Sequence, residues 1–359
     1  MNRSQKSTGK WWFYLFVLPL TWGICAWQGW SWWRWASAPV DPNAGEADAV
    51  QIEIPPGTPG QQIGVDLAAA ELIRSPAAWR LWTEWLSVRD RDGGYRAGTY
   101  KISPGSSLEA IAAKIWQGEV VTVSFTIPEG WSRRQIGAYL QEQGYFSQED
   151  FLAATRQLPV DRYPWLPGDL PHLEGFLFPD TYKMPLQEVT PQTVVWQMLE
   201  RFEQVALPIY ERVAADWRLS EWVTLASIVE REAVVGRERR RIAGVFVNRL
   251  RQGMRLEADP TVEYGLGITQ TPEQPLTLEQ VRTESPYNTY LNAGLPPTPI
   301  ASPSQASLQA AANPEDTDYL YFVARYDGTH VFSRTLAEHQ AAQERIRDRM
   351  DNQQTSAAN

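Results

Sequence analysis

Residues 220–233 read SEWVTLASIVEREA and set two carboxylates, Glu230 and Glu232, on a stretch whose apolar residues recur at helical spacing. Trp222, Leu225, Ala226, Val229 and Ala233 form one stripe, and Ser220 is the expected N-cap. Glu230 projects at the edge of that stripe, between Val223 and Ala226. An ionised carboxylate there would be partly desolvated, which favours the proton that a general acid must carry. Glu232 points to another side of the helix, so the two cannot act as one pair, and a structural role is expected for it. Periodicity alone leaves Glu230 with two readings: an acid/base, or the ion-pair partner of an arginine such as Arg237 or Arg241.

A second segment, residues 173–182, reads LEGFLFPDTY and packs Glu174 and Asp180 among three aromatics. Carboxylates accept sugar hydroxyls and ring faces take sugar C–H surfaces, so this composition suits carbohydrate. It equally suits a turn capped by Asp180 with the aromatics in a core. The stretches SPYNTY (285–290) and GLPP (294–297) form a stiff aromatic loop of the kind that can line a saccharide groove. Metal chemistry has little support, because the chain holds three histidines and one cysteine, with no HExxH pair. The single Cys25 excludes an intrachain disulfide. A net charge of −9 disfavours nucleic acid as a partner.

The elements that must position these groups follow from the pattern along the chain. Residues 11–33 run without a charge and carry tryptophans at both ends. Roughly 23 helical residues would cover about 34 Å against a ~30 Å hydrocarbon core, so a single transmembrane helix is expected. Arg3, Lys6 and Lys10 lead it, which makes residues 1–10 cytoplasmic and the body extracytoplasmic. The alternative is a cleaved signal peptide ending at Ala36-Ser37-Ala38. Residues 34–50 read as a linker, rich in Ala, Pro, Asp and Glu.

From residue 51 a small α+β region is expected to run to 127. It comprises a strand at Ile52 and Ile54, a helix through Ile63 and Leu67, and a second helix starting at Ser75-Pro76. A strand at 98–102, a helix through Leu108 and Ile115, and a closing strand at 120–127 complete it. Trp79, Leu81, Trp82, Trp85 and Leu86 on the second helix read as core, with a sugar-stacking face as the alternative. A mixed α+β domain fills 128–345. It contains two helices within 131–154 and a helix from about Glu238 whose polar candidates are Asn248 and Arg249. A short helix follows, with Asp259 as its cap, and then a hairpin turning at Asp327-Gly328. Residues 346–359 read as a tail without structure.

Taken in order, LEGFLFPDTY, LASIVEREA, GVFVNRLRQGMRLEADPTVEYGLG, SPYNTYLNAGLPPTPIASP and YLYFVARYDGTHVFS resemble the successive blocks of the MltG (YceG-like) family, and the region before them resembles its LysM-like subdomain more loosely. The resemblance implies a single-pass inner-membrane protein with its catalytic domain outside the cytoplasm. The implied activity is an endolytic lytic transglycosylase that cuts the MurNAc–GlcNAc bond of nascent peptidoglycan and leaves 1,6-anhydroMurNAc ends, terminating strands without a cofactor or metal.

In that family the glutamate of the LASIVE block is catalytic, which carries over to Glu230. Glu174, Asp180, Tyr182, Asn248, Tyr287, Asn288 and Thr289 lie in family blocks and are the implied groove residues. Penicillin-binding proteins are the implied partners. A non-catalytic wall-binding scaffold and a peptidoglycan hydrolase are the rival readings.

Overall fold

The computed structural model describes residues 13–90, 93–213, 217–271, 274–325 and 327–357. The expected cytoplasmic residues 1–10, Trp11 and Trp12 of the expected span, and residues 358 and 359 of the expected tail lie outside them. The chain divides into two compact units, one comprising Met1–Val123 and Lys183–Glu188, the other Ser124–Tyr182 and Val189–Asn359. The division falls four residues before the boundary that the sequence pattern suggests, and a short segment after Tyr182 returns to the first unit.

In the first unit, a π-helical stretch, Phe13–Val17, runs into α1, Leu18–Ser37. Among the described residues no helix is long and apolar enough to cross a membrane. Gln28, Arg34 and the many tryptophans of α1 hold its mean hydropathy down.

The strands β1 (Val50–Ile54) and β2 (Gly98–Ile102) pair antiparallel, from Val50↔Ile102 to Ile54↔Gly98. Between them lie α2 (Gly60–Ala69) and α3 (Pro76–Arg89), and α4 (Leu108–Gln117) follows β2. The helices start where hydroxyls can cap them. Ser75 accepts the Ala78 N–H and Ser107 the Ala110 N–H, each satisfying a donor that the first turn cannot. The Trp79 indole lies so close to Gly64 that a Cβ there would stand 2.4 Å from the ring, and its N–H donates to the Gly60 carbonyl. Ile54, Ile63, Leu67, Trp79, Tyr100 and Ile115 fill the core.

Two expectations change in this unit. Residues 34–50 are not a free linker, because Ala36 is fully buried in the core, Arg74 donates to the Pro39 carbonyl, and Asp41 N–H bonds the Pro104 carbonyl. The expected closing strand, observed as β3 (Thr122–Thr126), does not extend the β1–β2 sheet but pairs with β4 (Thr181–Pro185). The partner comes from far along the chain, so local pattern carried no sign of it.

In the second unit, α5 (Arg133–Glu142) and α6 (Gln148–Ala154) start at Ser132 and Ser147, each a side-chain cap. The helices α7 (Pro191–Val205), α8 (Leu207–Val213), α9 (Leu219–Glu232), α10 (Arg239–Arg251), α11 (Asp259–Leu266), α12 (Leu278–Val281) and α13 (Gln305–Ala312) follow. A hairpin of β5 (Tyr321–Ala324) and β6 (His330–Ser333) pairs Tyr321 with Ser333, as its Asp-Gly turn suggests, and α14 (Leu336–Ala357) ends the description. Residues 346–357, expected as tail, continue this helix, in keeping with their content of Arg, Met, Gln and Ala.

The helix α9 is the centre of this unit, packing on α10, α11 and α13. Trp222, Val223, Leu225, Ala226, Ile228 and Val229 are all fully buried, and burial of side chains this size is worth about 1.5–3 kcal/mol each. Its N-cap is Arg218 rather than Ser220. Arg218 is extended and its N–H bonds the Glu221 carboxylate, which leaves Ser220 inside the first turn. Similarly Ala258, not Asp259, caps α11, and Asp259 instead accepts the Tyr290 hydroxyl at 2.7 Å.

Candidate active site

Two side chains on α9, Ser227 and Glu230, bond the extended segment that leads into α13. Thr224 bonds within the helix, Ser227 Oγ accepts the Ile300 N–H at 3.1 Å, and Glu230 Oε2 accepts the Ser304 N–H at 3.0 Å. The Ser304 hydroxyl donates to the same Oε2. Ser304 is also the N-cap of α13, so the positive end of that helix faces the carboxylate. Both Ser304 donors converge on one oxygen, and Oε1 accepts no hydrogen bond among the described residues; the Arg239 guanidinium stands 3.7 Å from it, beyond hydrogen-bond length. The Glu230 side chain is 7% exposed. The carboxylate is thus held through one oxygen, while the other keeps only the more distant arginine.

The turn Pro128-Glu129-Gly130 runs beside the Glu230 side chain. Gly130 N–H bonds the Ser302 carbonyl and Ser302 N–H bonds the Trp131 carbonyl, each at 2.8 Å, which pins the turn along the same segment that carries Ser304. Gly130 has φ +75°, and a Cβ on it would stand 3.6 Å from Glu230 Cγ. Glycine suits that left-handed backbone, and a side chain there would make only ordinary contact with the acid. Its neighbour Glu129 is a second carboxylate at the site. Burial and the Glu230 charge push its pKa up, against the pull of Arg239.

A cavity of about 150 Å³ opens next to the turn, lined by Gly130, Ser132, Gln135, Arg231, Glu263 and Tyr264 among others. Arg231 pairs with Glu263 at 3.1 Å, and the Tyr264 ring meets Tyr287 edge-on at 4.8 Å.

Of the residues that the sequence pointed to, Glu230 stands in this site and Tyr287 flanks it through Tyr264. None of the eight lines the cavity itself; Glu230 borders it by way of Gly130, Tyr287 by way of Tyr264, and the other six are engaged elsewhere. Glu174 is fully buried, with Oε1 accepting the Arg133 N–H and Oε2 the Tyr264 hydroxyl, each at 2.9 Å, and burial pushes its pKa up to about 7. Asp180 caps its turn and pairs with Arg201 at 2.6 Å. The buried Tyr182 donates to the Phe178 carbonyl. Asn248 donates to the Thr317 and Tyr319 carbonyls and ties α10 to the approach to β5. Asn288 donates to the Val281 and Thr283 carbonyls, and Thr289 accepts the Ala258 N–H. These polar groups are spent on holding loops in place.

The arginine beside Glu230 is Arg239, whereas Arg241 pairs with Glu315. Ser304, Arg239 and Glu129 were missed by sequence reasoning. Only Ser304 had a local signal, a hydroxyl ahead of a helical stretch.

Glu232 lies two residues from Glu230 in a different environment. It is half-buried, makes no hydrogen bond or ion pair among the described residues, and is pushed up to about 8 by desolvation and by Asp259 and Glu263. Among the described residues no cluster of His, Cys, Asp and Glu could hold a metal ion.

The sequence profile of the YceG-like family matches residues 52–345. A Bacillus subtilis (strain 168) protein named endolytic murein transglycosylase is 32% identical over 311 residues, 82% of this chain and 84% of that one. A protein of the same name from Streptococcus pneumoniae serotype 2 is 30% identical over 337 residues, 84% of this chain; the match spans 60% of the streptococcal protein. A crystal structure of a yceG-like protein from Listeria monocytogenes has a TM-score of 0.55 and 30% identity, covering 82% of this chain and 99% of that one.

Proposed function

The chain belongs to the YceG-like family, and we infer from that premise that it does what its relatives are named for: it is an endolytic murein transglycosylase, a lyase acting on peptidoglycan. Glu230 is its acid/base. The observation that carries this assignment is the one-sided hold on the carboxylate, with Oε2 fixed by both Ser304 donors and Oε1 left without a hydrogen bond among the described residues.

In the reaction, Glu230 Oε1 gives its proton to the glycosidic oxygen between MurNAc and GlcNAc as the C1–O bond breaks. The MurNAc C6 hydroxyl oxygen then closes on C1, and its proton passes to Glu230. The acid is regenerated, no water is consumed, and the new end is 1,6-anhydroMurNAc. Ser304 keeps the carboxylate in one orientation through both proton transfers.

Glu129 supports a second reading. A hydrolase needs a partner carboxylate, and Glu129 is close enough to feel the Glu230 charge. Mass spectrometry of purified glycan strands separates the two. Wild type is expected to make internal cuts with anhydro ends, Glu230→Gln to lose about 10²–10⁴-fold in rate, and Glu129→Gln to keep the anhydro product. Reducing MurNAc ends that vanish in Glu129→Gln would convert the assignment to a hydrolase.

The described part of the expected span, residues 13–33, is the membrane anchor in this reading, with the second unit outside the cytoplasm. Support comes from Leu15, Leu20, Trp22 and Ile24, all exposed, together with the basic residues that lead the run. An anchored enzyme reaches nascent strands near the synthases, so it terminates glycan elongation beside penicillin-binding proteins. Unchanged strand lengths after depletion of the protein would refute that role.

A further inference from the structure

The helix α3 has two apolar faces. One, with Ala78, Trp79 and Thr83, is buried in the first unit. The other, with Leu81, Trp85 and Val88, recurs at i, i+4 and i+7 and is open: Leu81 is 47%, Trp85 44% and Val88 75% exposed. A small unit that buries one stripe of a helix ordinarily shows charge on the opposite side, as Arg80 and Glu84 do at its flank. An exposed Leu-Trp-Val stripe needs an occupant.

Its surroundings identify that occupant. Ring contacts lead from α1 to the stripe, with Trp33 5.9 Å from Trp82 and Trp82 stacked on Trp85 at 4.7 Å. The last turn of α1 exposes Trp32 and Trp35. Two arginines lie over outward tryptophans, Arg34 over Trp30 at 5.0 Å and Arg89 over Trp85 at 5.1 Å. Indole rings with arginines beside them are the side chains that favour the lipid headgroup zone, where an apolar body meets a wet, anionic layer. The burial of Ala36 and the Arg74 and Asp41 bonds to the following loop fix α1 to this unit without a flexible tether.

We propose that the Leu81-Trp85-Val88 face of α3 is a second membrane contact, seated in the headgroup layer where α1 leaves the bilayer and holding the first unit on the lipid surface. The proposal rests on the reading of α1 as an anchor.

The full chain, reconstituted in vesicles of phosphatidylethanolamine and phosphatidylglycerol, tests both separately. Cys25, the only cysteine, is exposed on α1, so a nitroxide on the natural chain reports the anchor. In a Cys25→Ser background, single cysteines at Leu81 and Val88 report the face, and cysteines at Arg80 and Ser87 report the other exposed side of α3. Labels at Leu81 and Val88 should show an accessibility ratio of oxygen to nickel chelate severalfold above those at Arg80 and Ser87.

Equal, water-like ratios at all four α3 positions, with a lipid-like Cys25, would overturn the second contact and leave the anchor standing. A water-like Cys25 would remove the anchor and this inference with it. Water-like α3 labels combined with loss of retention on purified sacculi in Trp85→Ala would reassign the face to glycan.

Discussion

Glu174 and Glu230 are both nearly inaccessible carboxylates in acidic, aromatic-rich segments, yet their surroundings differ in one respect. Both oxygens of Glu174 accept hydrogen bonds from within the protein, from Arg133 and from Tyr264. Only one oxygen of Glu230 does among the described residues, and the other lies 3.7 Å from the Arg239 guanidinium. A carboxylate whose acceptors are all taken is scaffold, because any exchange of its proton would break the fold locally. One with a fixed oxygen and a free oxygen is preorganised to exchange a proton. The difference is invisible in composition, and it divides the candidate residues.

The largest test of that division is Glu174→Ala. It strands the Arg133 N–H and the Tyr264 hydroxyl and leaves the buried Arg133 guanidinium with Thr155 as its remaining side-chain partner. Removing one partner of a buried pair costs about 3–5 kcal/mol. The midpoint of thermal unfolding should therefore fall by on the order of 10 °C. A Glu174→Ala protein that melts like wild type but no longer cuts glycan would erase the distinction, since it would put Glu174 in the groove.

Ser304→Ala probes the other side with a smaller effect. It deletes the hydroxyl that fixes Oε2 and keeps the backbone donor. Hydrogen bonds to charged groups contribute about 1.5–3 kcal/mol, so kcat should fall roughly 10–100-fold at temperatures well below unfolding. The lost helix cap costs about 1 kcal/mol of stability in addition. Unchanged kcat would mean that the backbone N–H alone positions Glu230, and the one-sided hold would lose its main support.

Much of this was legible in the sequence. Helix starts at Ser75, Ser107, Ser132 and Ser147 are local chemistry, readable because a hydroxyl and its N–H partner sit three residues apart. The stripe of α9 and the Asp327-Gly328 hairpin turn are local too. What escaped depends on partners far along the chain. Ser304 lies 74 residues from Glu230, β4 supplies the partner of β3 from across the second unit's first helices, and Asn248 meets carbonyls about 70 residues away. Aromatic and acidic composition marks LEGFLFPDTY as special without saying whether its polar atoms face a ligand or one another. The exposed stripe of α3 was likewise hidden, since Leu81 and Trp85 were read as core together with Trp79, although they lie on the opposite side of the helix.

The smallest effect separates Glu232 from both other carboxylates. Its pKa is raised to about 8, so the folded chain holds a proton that the unfolded chain, with an ordinary glutamate value near 4.5, gives up. Folding therefore binds a proton between these values, and stability falls as pH rises from about 5 through about 8. Glu174, raised to about 7, adds a decline that ends earlier. Between pH 7 and 8 the larger part of the slope belongs to Glu232 and the Asp259 and Glu263 charges around it, and the smaller part to Glu174. Glu232→Gln should lose clearly less stability than wild type over that step, while Glu174→Gln should keep most of the wild-type loss. Parallel melting curves for all three would show that Glu232 ionises freely despite its neighbours. The acid/base role of Glu230 would stand, and the contrast along α9 would reduce to which side of the helix each carboxylate faces.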